Sequence, residues 1–128
     1  MILGIGVDII DIERFKEWHT YPHKHLLRIF SQNEIDYCLS VPTKTAERFA
    51  VRWAAREALY KAWVNATGKK VPFLTLCKKA AVVYKENVPL LIVDSDFFKI
   101  NNQHNIRFHL SLSHSNTSAL AQVIIEIS

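Results

Sequence analysis

The chain has 128 residues, 16 basic and 12 acidic side chains, a formal charge of +4 and 49% hydrophobic residues. That length and apolar content fit one folded domain with a sizeable core and exclude a disordered chain. Three glycines occur, with neither GxGxxG nor the P-loop pattern, which excludes the common Gly-rich nucleotide cradles.

Met1 to Ile10 reads as a buried strand carrying Gly4 and Gly6. Glycine inside a strand marks close approach of another backbone or a ligand. Asp8 interrupts this apolar run, no basic region precedes it, and no stretch reaches the roughly 18 apolar residues of a span. A cytoplasmic protein is therefore expected, with Cys38 and Cys77 as reduced thiols. Asp11 is a candidate N-cap for a short helix through Trp18. Residues 22–30 suggest a second helical segment opened by Pro22. Ser31 to Glu34 reads as a capping box for a helix from Gln32, and Pro42 stops or restarts the chain.

From Thr45 to Ala66 there is neither Gly nor Pro, and Ala46, Phe49, Ala50, Trp53, Tyr60 and Val64 recur at helical spacing. Thr67-Gly68 ends this helix. Ala80 to Tyr84 and Leu90 to Val93 read as strands around a turn at 87–89, and Asp94 to Ile100 as a short helix. Ile106, Phe108, Leu110 and Leu112 alternate with polar residues, as in a half-buried strand. A turn at His114 to Ser118 then leads into a last strand, Ala119 to Ile127. The class is α+β, one domain over 1–128, with helices mainly in the N-terminal half and antiparallel strands in the C-terminal half.

Several polar residues fall in unexpected places. Glu57 lies near the middle of the apolar face of the long helix, and Lys61 towards its edge. A carboxylate there is costly unless paired or bound to metal. A buried Glu57–Lys61 ion pair is one reading and a functional site the other. Arg48, Arg52 and Arg56 form a row beside that face, either a solvated flank or an anion-binding stripe. Asp8 ends an apolar run, as a turn or cap carboxylate with Asp11 or as a site residue. Together, Asp8 and Glu57 offer the hard oxygen ligands that suit Mg²⁺. His114 stands at a strand end among Ser111, Ser113 and Ser115, whose hydroxyls could meet a phosphate, and His109 reads as structural. No zinc-type Cys/His cluster and no GxSxG elbow is present.

Three segments together resemble a known family. GIGVDIIDIERF at 4–15, RFAVRWAAREALYKA at 48–62 and HLSLSHS at 109–115 are similar, in order and spacing, to the signatures of the holo-(acyl-carrier-protein) synthases. These are the short 4′-phosphopantetheinyl transferases. The resemblance implies their fold and their reaction. Phosphopantetheine passes from coenzyme A to a serine of apo acyl carrier protein in support of fatty acid biosynthesis, and 3′,5′-ADP is released.

By the same resemblance Asp8, Glu57 and Lys61 are catalytic. Asp8 and Glu57 hold Mg²⁺ against the pyrophosphate, Lys61 pairs with phosphate oxygens, and Glu57 or a water takes the serine proton. Arg52, His114 and Ser115 match positions at the 3′-phosphate end of coenzyme A, with Arg48 beside them. A homotrimer with sites between subunits is implied. The acidic carrier calls for a basic docking face, with Arg14, Lys24 and Arg28 as candidates and Leu26 and Ile29 as apolar contacts.

The chain departs from the family pattern at 63–68, where one glycine replaces a glycine-rich turn, and at 86–89. The first departure implies a longer helix. Two rival readings are a nucleic-acid binder using the arginine row and a coenzyme A-binding module without catalysis.

Overall fold

The long run without glycine or proline forms one helix, and the alternating C-terminal runs form a hairpin. The computed structural model describes residues 1–101 and 105–128. In chain order the elements are β1 (Ile2–Asp11), α1 (His23–Leu26), α2 (Gln32–Leu39), α3 (Thr45–Thr67), α4 (Phe73–Cys77), β2 (Ala80–Lys85), β3 (Val88–Val93), β4 (Ile106–His114) and β5 (Ser118–Ile127). The α+β class holds, with helices between β1 and the later strands. An antiparallel sheet runs in the order β1-β5-β4, and β2 and β3 pair as a separate hairpin. Among the described residues no helix is long and apolar enough to cross a membrane.

The sheet has two unlike faces. Its inner face presents Ile10, Ala119, Ala121, Val123 and Ile125, all buried. The small alanines let α3 lie close. Ile5, Val7, Ile9 and Leu120 point the other way and are exposed.

The helix α3 is buried around most of its girth. Val51, Ala54, Ala55, Ala58, Leu59, Ala62 and Trp63 are buried as well as Phe49 and Ala50. A single apolar stripe was too narrow an expectation, because α3 packs on β1 and β5 on one side and touches α2, α4 and β2 on others. Gly68, at φ 69°, closes the helix by donating its N–H to Val64 O at 2.7 Å. Glycine adopts this left-handed turn without a Cβ penalty.

Gly4 and Gly6 set how near β1 comes to α3. A Cβ on Gly6 would overlap Ala58 O and stand 2.6 Å from Ala62 N. One on Gly4 would overlap Ala62 O and stand 2.9 Å from Ala66 Cβ. Two residues of strand advance about 6.6 Å, close to one turn of helix. The contacts therefore step from Ala66 and Ala62 to Ala62 and Ala58. The next inward position on β1 is Asp8, which this stepping carries to the level of Glu57.

Four local expectations need correction. Residues 11–18 form no single helix: two short 3₁₀ turns, Ile12–Phe15 and Trp18–Thr20, occur instead, and the Asp11 side chain caps neither. The 22–30 helix is one turn, His23–Leu26. The β2–β3 turn is Glu86-Asn87, at φ 52° and 66°, with Pro89 inside β3 opposite Tyr84. Both residues take the left-handed conformation of a tight two-residue hairpin. Residues 94–100 form a turn, in which Phe97 and Phe98 donate N–H groups to Asp94 O at 3.1 and 3.0 Å. The capping box at Ser31 and Glu34 is present as expected.

Candidate active site

The stepping of β1 along α3 brings Asp8, Glu57 and Lys61 into one cluster. Lys61 Nζ lies 3.2 Å from Asp8 Oδ1 and donates to Val7 O at 3.0 Å. The Asp8 side chain is 15% exposed and that of Lys61 51%. Lys61 therefore pairs with the strand carboxylate, and among the described ion pairs none joins it to Glu57. Glu57 is half-buried. Burial first, and then the negative charge of Asp8, hold its carboxyl above the usual range, against Lys61 and Arg14, which draw it down. Arg14, on the turn after β1, is thus close enough to act on the cluster electrostatically, and its side chain remains exposed.

Two carboxylates whose mutual repulsion is only partly relieved suit a divalent cation. Mg²⁺ commonly takes one or two protein carboxylates and fills its other positions with water and substrate phosphates. No group of three or more His, Cys, Asp or Glu side chains suited to a metal occurs among the described residues. The donor set of Asp8 and Glu57 fits that sparse pattern.

A second constellation lies across α3. A cavity of about 390 Å³ is lined by Lys44, Glu47, Arg48, Arg52, Tyr84 and His114 among others. Arg48 stacks over the Tyr37 ring at 3.9 Å and donates to Tyr37 O at 2.8 Å and Ser40 Oγ at 3.0 Å. His114 Nδ1 lies 2.8 Å from Glu47 Oε1. Ser115 is exposed, and its hydroxyl accepts from the N–H groups of Thr117 and Ser118 at 3.2 and 3.1 Å, bracing the β4–β5 turn. The structure thus brings Arg48, Arg52 and His114 together, and leaves Asp8, Glu57 and Lys61 outside their cavity. Spacing along α3 puts Arg48 and Glu57 about 180° apart around the helix. Lys24 and Arg28 are exposed beyond Arg14 on the α1 segment. A larger cavity, about 540 Å³, lies between that segment and the β2–β3 hairpin and is lined by none of these residues.

The arginine row is neither a solvated flank nor a uniform anion stripe. Arg52 and Arg56 are 2% and 0% exposed. Arg56 forks onto Glu34, Nη1 to Oε2 at 2.8 Å and Nη2 to Oε1 at 2.6 Å, and also reaches Cys77 O and Ala80 O. A guanidinium so fully engaged has no donors to spare for a ligand. Arg52 keeps its Nε buried without a hydrogen bond, 3.9 Å from Glu34 Oε2, and lines the cavity. Burial of Arg52 and Arg56 leaves no continuous exposed basic stripe along this row, which a nucleic-acid reading needs. Sequence reasoning missed the second role of Glu34, the partnership of Glu47 with His114, and the aromatic pair Tyr37 and Tyr84. The first was visible only as a cap, and the others had no local signal.

Comparison with known proteins agrees with the fold. Residues 4–123 match the model of the 4′-phosphopantetheinyl transferase superfamily, and the chain belongs to that family. A holo-(acyl-carrier-protein) synthase from Treponema denticola is 35% identical over 127 residues, covering 98% of this chain and 99% of the relative. One from Geobacillus sp. is 36% identical over 128 residues, covering 98% of each. The crystal structure of the Bacillus anthracis holo-(acyl-carrier-protein) synthase, in complex with CoA (3′,5′-ADP), superposes with a TM-score of 0.75 at 34% identity, covering 100% of this chain and 99% of that one.

Proposed function

We propose that this chain, acting as one domain over 1–128, transfers 4′-phosphopantetheine from coenzyme A to a serine of apo acyl carrier protein. The product serves fatty acid biosynthesis. The observation that carries this reading is the convergence of Asp8, Glu57 and Lys61, drawn from two separate motifs into one cluster.

Asp8 and Glu57 would hold Mg²⁺, which when bound neutralises charge on the pyrophosphate oxygens. Lys61, at the rim of the cluster, would give the third N–H of its ammonium to phosphate oxygens near the scissile bond while keeping Val7 O and Asp8. The carrier serine would attack the β-phosphorus as 3′,5′-ADP departs, and its proton would pass to Glu57 or to a water held at the cluster. Arg52, Arg48 and His114 would hold the 3′-phosphate end of coenzyme A, with Ser115 beside them. Arg14, Lys24 and Arg28 would meet the acidic carrier, which places the carrier next to the cluster that Arg14 already influences. The reaction belongs in the cytoplasm, where the free, buried Cys38 and Cys77 stay reduced.

The direct test is to incubate the chain with apo carrier, coenzyme A and Mg²⁺. The carrier should gain about 340 Da, the mass of the transferred group. No gain with several apo carriers would defeat the reading, and coenzyme A binding without turnover would point to a module that has lost catalysis.

Two features support a homotrimer with sites between subunits. The carboxylate cluster and the arginine–histidine cavity face opposite sides of α3, as they would if a coenzyme molecule bridged two chains and used one group from each. The outer sheet face is also apolar: Ile5, Val7 and Ile9 are 51%, 51% and 67% exposed, and Leu120 lies beside Ile9 in register. A strip of that kind marks an interaction surface. The expected mass by light scattering is that of three chains. Ile9→Asp should leave a folded monomer that transfers nothing; a monomeric but active protein would contradict the shared site.

A further inference from the structure

The departure at 63–68 has a structural answer. In place of a glycine-rich turn, α3 continues to Thr67, and Asn65 stands one turn beyond Lys61 on the same side of the helix. Among the described residues β1 is an edge strand, with no strand partner on its side away from β5. Both residues reach that open edge. Asn65 Oδ1 accepts the N–H of Ile5 at 3.0 Å, and Lys61 Nζ donates to the carbonyl of Val7 at 3.0 Å. The two bonds alternate in polarity, as rungs of a ladder do, and engage strand positions two residues apart. Between them, Gly6 lies against Ala58 and Ala62 with no room for a side chain.

We infer that Asn65 is a positioning residue: with Lys61 it clasps the free edge of β1 and so fixes Asp8 against Lys61 and Glu57. The glycine contacts set the depth of β1 on α3, and pairing with β5 sets its register. Asn65 adds a polar rung on the opposite edge, which holds that edge of the strand down on α3. Movement of this edge away from the helix would carry Asp8 out of reach of the Lys61 ammonium, now at 3.2 Å. Catalytic relevance of the clasp rests on the transfer reading above; the clasp itself does not.

The test compares Asn65→Leu, which keeps the size and removes the acceptor, with Asn65→Asp, which restores it. In Asn65→Leu the Ile5 amide should exchange with solvent about fivefold faster, as expected for loss of one hydrogen bond. Its kcat should fall by roughly 10- to 100-fold, the scale seen when a group that orients a site residue is removed. The KM for the carrier should hold steady, since Arg14, Lys24 and Arg28 are untouched. Asn65→Asp should recover both the Ile5 protection and most of the turnover. Unchanged Ile5 exchange in Asn65→Leu, or a lower melting temperature with kcat unmoved, would overturn the inference. If the unsubstituted chain transferred nothing, the transfer reading would fall, and the Ile5 exchange would still decide the clasp.

Discussion

Glu57→Gln is expected to abolish transfer while making the metal-free protein more stable at neutral pH. Both effects have one origin. Glu57 sits half-buried beside Asp8, and these two influences lift its pKa above the usual 4.5 for the side chain. A raised value means that the folded state binds the proton more tightly than the unfolded chain does. The stabilising contribution is therefore fully present below about pH 4.5 and is lost as pH rises through the folded value. At pH 7 the ionised carboxylate weighs against folding, and glutamine, which never ionises, removes that cost. Thermal melts in a chelating buffer should show Glu57→Gln melting above the parent at pH 7, with the gap closing on acidification below pH 4.5. Turnover should drop by at least about 100-fold, the loss typical when one electrostatic stabiliser of a transition state is deleted. A variant that melts no higher than the parent at pH 7 would show that the carboxylate is not strained, and one that keeps its turnover would remove Glu57 from the chemistry. The opposition of stability and activity is expected where a site gathers like charges for a ligand to neutralise.

The sequence carried much of this because motif residues and core residues were interleaved at readable spacings. Asp8 stood out as a charge interrupting an apolar strand, Glu57 as a charge within an apolar helix face, and Gly4 and Gly6 as glycines inside a strand. Their meaning came from packing: the glycines let α3 lie flush on β1, and that contact sets Asp8 level with Glu57. What remained hidden depended on contacts distant in sequence. Arg56 resembles any arginine on a helix flank until Glu34, 22 positions earlier, forks onto it. The breadth of burial on α3 was equally invisible, because alanines at 54, 55, 58 and 62 are compatible with either a surface or a core helix. The short segments between 11 and 30 were over-read as helices. Their apolar residues serve the aromatic cluster of Phe15, Trp18, Phe30, Phe49 and Trp53, and need no regular period to do so.

The second large effect is expected at Glu34, which lies behind the site and meets it only through Arg52. Its side chain is 1% exposed and its two oxygens take the guanidinium fork of Arg56. They also accept the N–H of Ser31 at 3.0 Å and of Val82 at 3.2 Å. One carboxylate thus ties α2 to α3 and to β2, while Arg52 approaches it from the next turn. Burial alone would push its carboxyl upward, but the hydrogen bonds and charge of Arg56, with the backbone N–H groups of Ser31 and Val82, outweigh that and hold it below the usual range. A lowered value contributes stability that is present above about pH 4.5 and is lost as pH falls through the folded value. Glu34→Ala removes the acceptor and leaves the Arg56 charge buried without compensation, which typically costs about 3–5 kcal/mol. Denaturant unfolding at pH 7 should show a loss on that scale. The loss should shrink on acidification, where the parent also surrenders the pair. The double variant Glu34→Met with Arg56→Met should recover roughly 0.5–3 kcal/mol relative to the sum of Glu34→Met and Arg56→Met alone, the range found for directly coupled side chains. Full recovery is not expected, because Cys77 O and Ala80 O would lose the donors that Arg56 supplies. Strict additivity of the two single changes would show that Arg56 is held by those carbonyls rather than by Glu34. In that case the fork would not be what holds α2 on α3 behind the site.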